Sequence, residues 1–426
     1  MSDSKLIADN GRHLPTPPFE QPQNSDARLS AGHLVLTVLQ ENQSVAAMRA
    51  ASDAANAQIE SAGALDDPMV SYALAPNTAG GPRQGLKQNL QISQKLPWPG
   101  TLSLRSNAAE SEADSAAKQL ADLRLRLAAR TLADYAQWYY VHRALAVNAE
   151  NVILVTRLRT VAETAYASGQ SPQQDILQAE VELTRLGNQT LELKRLQRTV
   201  QARIDALQNL DPATPVPPPE DLPAEIPLPK IDVLRESALA NHPLLQGLNS
   251  RVVASRDQVD LAHKNEYPQF NMMIGYNSLM DLPAKRLTVG VSVNIPFGAN
   301  HRGEVDAARA HLREAEAKLA DSRIQLLSDL DQAYATAIQA NETIRLYATQ
   351  LLPLAKLSLQ AAEADYSAGG SDFLKLITAE QQYLSSKLEL ARARADFFTQ
   401  VAYLNYQAGG VLSPPDEAGT HQESTP

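Results

Sequence analysis

The sequence predicts a mainly α-helical protein with a small β part, built from two copies of one helix-strand-strand-helix-helix unit. Three observations carry this. The chain resembles itself at an offset of about 200 residues, each half holds helical patterns of unusual length, and each half interrupts them with a pair of short alternating segments.

The repeat is clearest where Ala162-Glu163-Thr164-Ala165-Tyr166-Ala167-Ser168-Gly169-Gln170-Ser171 lies over Ala362-Glu363-Ala364-Asp365-Tyr366-Ser367-Ala368-Gly369-Gly370-Ser371. One residue out of that register, Leu120 to Arg124 lies over Leu319 to Arg323, Tyr135 over Tyr334, and Pro97-Trp98 over Pro296-Phe297. Leu39 over Leu239 and Pro68 over Pro268 anchor the start of each half. The halves span 31–210 and 231–410. Between them, residues 211–230 hold Pro212, Pro215, Pro217, Pro218, Pro219, Pro223, Pro227 and Pro229. Each proline removes a backbone donor and fixes φ, so this is an extended or polyproline linker. Residues 1–30 and 411–426 are polar and contain proline, and are expected to be disordered.

In the first half, an Ala-rich, proline-free pattern covers 31–64, a long helix runs from Thr101 to Ala167, and another from Pro172 to Leu210. The second half repeats this as 231–266, 302–368 and 372–408. At 1.5 Å per residue the long helices reach on the order of 100 Å, so they must form an extended bundle or coiled coil. The expected strands are 68–76, 86–97, 267–278 and 286–296. Leu287, Val289, Val291, Val293 and Ile295 alternate with Thr288, Gly290, Ser292 and Asn294. Leu86, Leu90, Ile92 and Leu96 alternate with Lys87, Asn89, Gln91, Ser93 and Lys95 in the same way, with Gln88 and Gln94 as polar lapses on the apolar side. Val70, Tyr72 and Leu74 form a third run, and Phe270, Met272, Ile274 and Tyr276 a fourth. The joining segments, Pro76 to Gly85 and Leu279 to Lys285, carry the Gly and Pro of hairpin turns. Each strand is close to the roughly 9–11 residues that a tilted strand needs to cross a bilayer. Four strands cannot close a barrel, and an open edge in lipid leaves backbone groups unsatisfied. Three chains would supply twelve.

Composition removes several function classes. The formal charge of −10 argues against a nucleic-acid partner, which needs a basic patch. Absence of cysteine excludes disulfides, thiol catalysis and lipid attachment through an N-terminal cysteine. No run of about 18 apolar residues encodes a transmembrane helix. The first 30 residues show no basic-then-apolar export signal, so an exported chain starting here is expected to be a mature or re-engineered form. The eight histidines form no i, i+4 pair, and no nucleophile elbow, P-loop or dinucleotide fingerprint occurs. No cofactor, no metal site and no enzymatic activity are expected. Energy for any transport must come from a partner.

The unit order, the Tyr-x-x-Gly-x-Ser elements at Tyr166 to Ser171 and Tyr366 to Ser371, the strand opening Glu266-Tyr267-Pro268, and Leu96-Pro97-Trp98-Pro99-Gly100 together resemble the TolC-like outer-membrane efflux family. The likeness covers about residues 31–410, and the Leu96 to Arg105 segment is similar to the heavy-metal and cation efflux branch of the CzcC and CusC kind. The resemblance implies a homotrimer with a twelve-stranded barrel in the cell outer membrane and a helical tunnel in the periplasm. It implies a periplasmic membrane-fusion adaptor, an inner-membrane pump of the RND type, and metal cations as cargo. It further implies that Tyr166, Gly169, Ser171, Tyr366, Gly369 and Ser371 form adaptor-docking turns at the hairpin tips. Gly169 and Gly369 suit φ > 0 at a helix end, and Ser171, and Ser371 or Asp372, suit a helix cap. The family's gate often uses acids just beyond that glycine. Here the gate candidates are Asp175, Asp372 and Lys375, with an Asp175–Lys375 contact as one way to hold the tip closed. Leu287, Val289, Val291, Val293 and Ile295 are the expected lipid-facing strand. The alternative is a soluble coiled-coil scaffold or adaptor that never enters lipid. The strands separate the two readings, because packing of Leu287 to Ile295 on the chain's own helices would exclude the channel.

Overall fold

A computed structural model describes residues 28–75, 87–223, 226–278, 283, 286–296, 299–370 and 372–411. Its elements run α1 (Ala31–Glu41), α2 (Gln43–Gly63), β1 (Met69–Ala75), β2 (Lys87–Leu96), α3 (Thr101–Ala167) and α4 (Gln173–Leu207) in the first half. The second half runs α5 (Ile231–Asn241), α6 (Pro243–Lys264), β3 (Gln269–Asn277), β4 (Leu287–Asn294), α7 (Ala299–Leu346), α8 (Leu352–Ser367) and α9 (Phe373–Gln407). The spine is α3, 67 residues long, against which α2, α4, α6 and α9 all pack. The core is strung along it as successive clusters. One gathers Trp138, Tyr135, Leu34, Val38 and Ile204, another Leu234, Leu330 and Leu404, and two more lie toward the α3–α4 turn around Phe373, Leu376, Val155 and Leu186.

Each half opens with a broken helix where the Ala-rich pattern predicts a continuous one. The breaks fall at Asn42 and His242, which occupy equivalent places in the two halves. Both residues are buried with extended backbone, and each caps the following helix, Asn42 Oδ1 accepting from Ser44 N and His242 Nδ1 from Leu244 N. Asn42 Nδ2 also donates to Leu207 O at 2.8 Å, satisfying a carbonyl at the end of α4. The expected single helix over 302–368 is likewise interrupted, by a π-helical turn at Tyr347–Leu351. Pro353, at the start of α8, lacks the N–H that an α ladder requires, and the wider turn absorbs the mismatch.

The proline-rich connection is extended but not free. Leu29 N donates to Pro218 O at 2.9 Å and Glu220 N to Leu29 O at 3.0 Å, while Trp138 Nε1 donates to Pro217 O at 2.9 Å. The end of the segment read as disordered, Leu29 and Ser30, is therefore tied to the bundle, with Ser30 accepting from His33 N as the cap of α1. Residues 1–27 and 412–426, and the turns over 76–85 and most of 279–285, lie outside the described residues.

The four strands form one antiparallel sheet in the order β1-β2-β3-β4. Its two edges, β1 and β4, have no neighbour within the described chain.

Candidate functional site

The register of the sheet sorts its side chains. Val70, Ile92, Ile274 and Val289 lie opposite one another in one row, and Tyr72, Leu90, Tyr276 and Leu287 in a second. Residues directly opposite share a face, so both rows stand on the same side. All are exposed, and along β4 the exposure runs from 44% at Val293 to 71% at Val289. Val291, paired with Met272, and Ile295, just past the strand, continue the same face. Among the described residues no helix covers it. The opposite face carries Ser71, Gln91, Gly275 and Thr288 in the equivalent row, with Thr288 Oγ1 donating to Gly275 O at 3.2 Å. A contiguous apolar face of this kind marks contact with lipid or another protein.

The second candidate region is the pair of helical turns at the far end of the bundle. After α3, Gly169 takes φ 72°, with its N–H donating to Tyr166 O and Gln170 N–H to Ala165 O. After α8, Gly369 takes φ 74° with the same two bonds, to Tyr366 O and Asp365 O. Each is a left-handed glycine closing the last carbonyls of a helix. Among the described residues, neither glycine has an atom within 4 Å of where a Cβ would sit, so it is the backbone angle that demands glycine there. Ser171 is not the cap expected of it. Pro172 occupies the position before α4 without a side-chain bond, and Asp372, before α9, also makes none. Ser371 lies outside the described residues.

Between the turns is a cavity of about 740 Å³ lined by Arg157, Asp175, Tyr366, Gly369, Asp372 and Lys375, among others. Tyr366 reaches across it from the second hairpin. Its hydroxyl donates to Asp175 Oδ2 at 3.0 Å, and its ring meets Phe373 edge-on at 5.2 Å. Asp175 is only 8% exposed. Burial first, and then the Asp175 bond, push the Tyr366 phenol up to about 12, so it stays a donor. Within the protomer, then, the partner of Asp175 is Tyr366 and not Lys375, which lines the same cavity. Tyr166, the counterpart of Tyr366 in the repeat, is 47% exposed instead.

One to two turns deeper, α4 and α9 share a polar layer inside the apolar core. Arg185 Nε donates to both oxygens of Glu182 at 3.0 and 2.9 Å, and Gln381 Nε2 donates to Glu182 Oε2 at 2.7 Å. Glu380 is 0% exposed, and among the described residues neither of its carboxyl oxygens has a hydrogen-bond partner. Burial, and then the neighbouring Glu182 charge, push its pKa up to about 8, against the pull of Arg185. The Tyr366–Asp175 bond and this glutamate pair were not anticipated from sequence. The partners are more than 190 residues apart, and only the repeat, which sets Glu180 over Glu380, gave any hint of proximity. Among the described residues no three His, Asp or Glu side chains gather as a metal-holding group, and no helix is long and apolar enough to cross a membrane.

The architecture is a bundle of very long helices that ends in paired glycine turns and carries a sheet with one exposed apolar face. The chain belongs to the outer membrane efflux protein family, whose model matches residues 34–210 and again 234–410, once per repeat. It is 22% identical over 340 residues to the protein CyaE of Bordetella pertussis, covering 76% of this chain and 71% of that one. It is 21% identical over 313 residues to the cobalt-zinc-cadmium resistance protein CzcC of Cupriavidus metallidurans, covering 70% and 71%. Its fold is similar to that of the outer-membrane channel OprN, with a TM-score of 0.78 at 20% identity over 90% of this chain and 91% of the other. Members of the family are passive ducts, not enzymes, and form trimeric outer-membrane channels that work with adaptors and inner-membrane pumps.

Proposed function

We propose that three copies of this chain close a twelve-stranded barrel in the outer membrane, continued into the periplasm by a tunnel to which each copy contributes four helical limbs. The observation that carries the reading is the sheet itself. Among the described residues its apolar face is bare, its other face is mostly polar, and its edges β1 and β4 are unpaired. In lipid those edges must be satisfied, which requires closure by further strands. Leu287, Val289, Val291, Val293 and Ile295 then meet hydrocarbon while Thr288 and Ser292 face the wet lumen.

At the other end, the turns at Tyr166 to Ser171 and Tyr366 to Ser371 dock a periplasmic membrane-fusion adaptor fed by an inner-membrane pump of the RND type. Metal cations are the proposed cargo, on the strength of the CzcC likeness and the Leu96 to Gly100 segment. The duct is passive, so control lies in how wide the tips open. The Tyr366–Asp175 bond ties the two hairpins of one protomer together, three times around the axis, with Asp372 and Lys375 beside it at the mouth. A hydrogen bond to a charged acceptor contributes about 1.5–3 kcal/mol, roughly a tenfold or greater bias toward the closed tip for each protomer.

The test is the conductance of the purified protein in a planar bilayer, wild type against Tyr366→Phe, which removes only the donor hydroxyl. The proposal expects ion-conducting events from both and a higher open fraction in the variant. A protein that does not enter the bilayer would fit the scaffold reading instead. Conducting protein with an unchanged open fraction would remove the tie from the gate.

A further inference from the structure

The helix end of the sheet's apolar face finishes in aromatic rings that neither the lumen nor the docking turns use. Trp98, between β2 and α3, stacks on Tyr267 at 5.0 Å and on Phe270 at 6.2 Å, with both ring pairs 19° from parallel. Phe270 pairs with Leu96 and Val293, so it stands on the same face as Met272, Ile274 and Tyr276. Lys264 Nζ lies 5.8 Å over the Tyr267 ring, and the nearby Glu266 carboxylate is engaged by His263 at 3.2 Å rather than by this lysine. At the opposite end of the face, Tyr72 and Tyr276 form a second aromatic row, both exposed.

The spacing of the two aromatic ends is informative. Phe270 and Tyr276 are six positions apart on β3, about 20 Å along the strand at ~3.3 Å per residue, and Tyr267 lies in the bend two residues before β3 begins. Tilted by about 40°, that path rises roughly 15 Å, and the Trp98 and Tyr267 rings continue it beyond the strand end toward the edge of the ~25 Å apolar band that aromatic girdles flank in outer-membrane barrels. Rings with an apolar body and a polar edge settle at the headgroup level, and a lysine stem lets its ammonium reach the charged layer from a ring-lined base.

We infer that Trp98, Tyr267 and Phe270 seat at the headgroup level of the periplasmic leaflet, and that Lys264 takes the phosphate of an anionic phospholipid there, setting the depth of the barrel. The inference rests on the barrel reading above. A stack that only propped the corner between strand and helix would be shielded from lipid and indifferent to its charge.

The chain has two tryptophans, and the other, Trp138, is 2% exposed with Nε1 bound to Pro217 O, so lipid-borne quenchers report Trp98. The experiment reconstitutes the full chain in phosphatidylcholine vesicles, confirms insertion by flotation, and titrates in lipids brominated either near the headgroup or near the chain end. Emission should be quenched more strongly by the shallow bromine than by the deep one, and Trp98→Phe should abolish lipid quenching. With shallow-brominated phosphatidylglycerol against phosphatidylcholine as the minor lipid, the quenching titration should give an apparent preference of about fivefold for the anionic lipid. Lys264→Gln should remove that preference while leaving the depth profile alone. Floating protein with no lipid quenching, with deeper quenching dominant, or with a preference that survives Lys264→Gln overturns the inference and leaves the barrel standing. Protein that does not float overturns both.

Discussion

Replacing Glu380 by glutamine should change how stability depends on pH. The wild-type carboxyl is wholly buried on α9, has no hydrogen-bond partner among the described residues, and faces the Glu182 charge, which is itself held by Arg185 and Gln381. Its pKa stands at about 8 in the folded chain against 4.5 for the free group. Because the folded value is the higher one, the native state keeps a proton that the unfolded chain has released between these limits. Stability from this group is therefore full below about pH 4.5 and declines as pH rises toward 8, by ~1.4 kcal/mol per pH unit at most. Across the whole window that is on the order of a few kcal/mol. Glutamine is close in size, neutral at every pH, and removes the dependence. The assay is thermal unfolding by far-ultraviolet circular dichroism in detergent at about pH 5.5 and about pH 9. Wild type should lose more of its apparent melting temperature than Glu380→Gln, and the variant should be the more stable protein at the alkaline end. Parallel losses in the two proteins would refute the reasoning, and would mean that the polar layer relaxes or hydrates when Glu380 ionises.

Two further expectations concern the ends of the molecule. Val291→Arg, on the exposed apolar row of β4, should block assembly in the outer-membrane fraction, at a cost of roughly 2–4 kcal/mol if the residue sits near the bilayer midplane. Normal assembly of that variant would count against lipid contact. Gly369→Leu meets open space but must hold φ 74°, a strain of about 1 kcal/mol or more that leaves the sheet untouched. It should abolish efflux and adaptor crosslinking with the trimer yield unchanged, whereas loss of the trimer would make the turn a structural requirement only.

What could be read from sequence follows from the range of the signals. The limits of α3 were legible because glycines with positive φ punctuate them, Gly100 at 85° before the helix and Gly169 at 72° after it. The alternation of β4 was legible because each residue type reports its own face. The helix breaks were legible only in part: Asn42 and His242 cap the next helix locally and Pro243 opens α6, but what holds both residues in place lies far along the chain. Asn42 is held by Leu207, 165 positions away, and His242 sits against the Tyr406 ring at 5.2 Å and the backbone at Gly409. Pro353 was a local signal, but a proline within a long apolar pattern kinks or widens a helix as readily as it ends one, and here the π turn absorbed it. At the tip, the repeat made Asp175 and Lys375 equivalent in register and so suggested pairing them. The fold pairs Asp175 with Tyr366 because the second hairpin lays its tyrosine, backed by Phe373, over the first. Sequence equivalence between Tyr166 and Tyr366 therefore does not carry over to their contacts.

A sheet with two open edges, read as one third of a closed barrel, requires three chains to assemble. The most direct test is native mass spectrometry of the full chain extracted in detergent from the outer-membrane fraction. A single species of three chains is expected. A protein of one or two chains, or one recovered only from the soluble fraction, would contradict it.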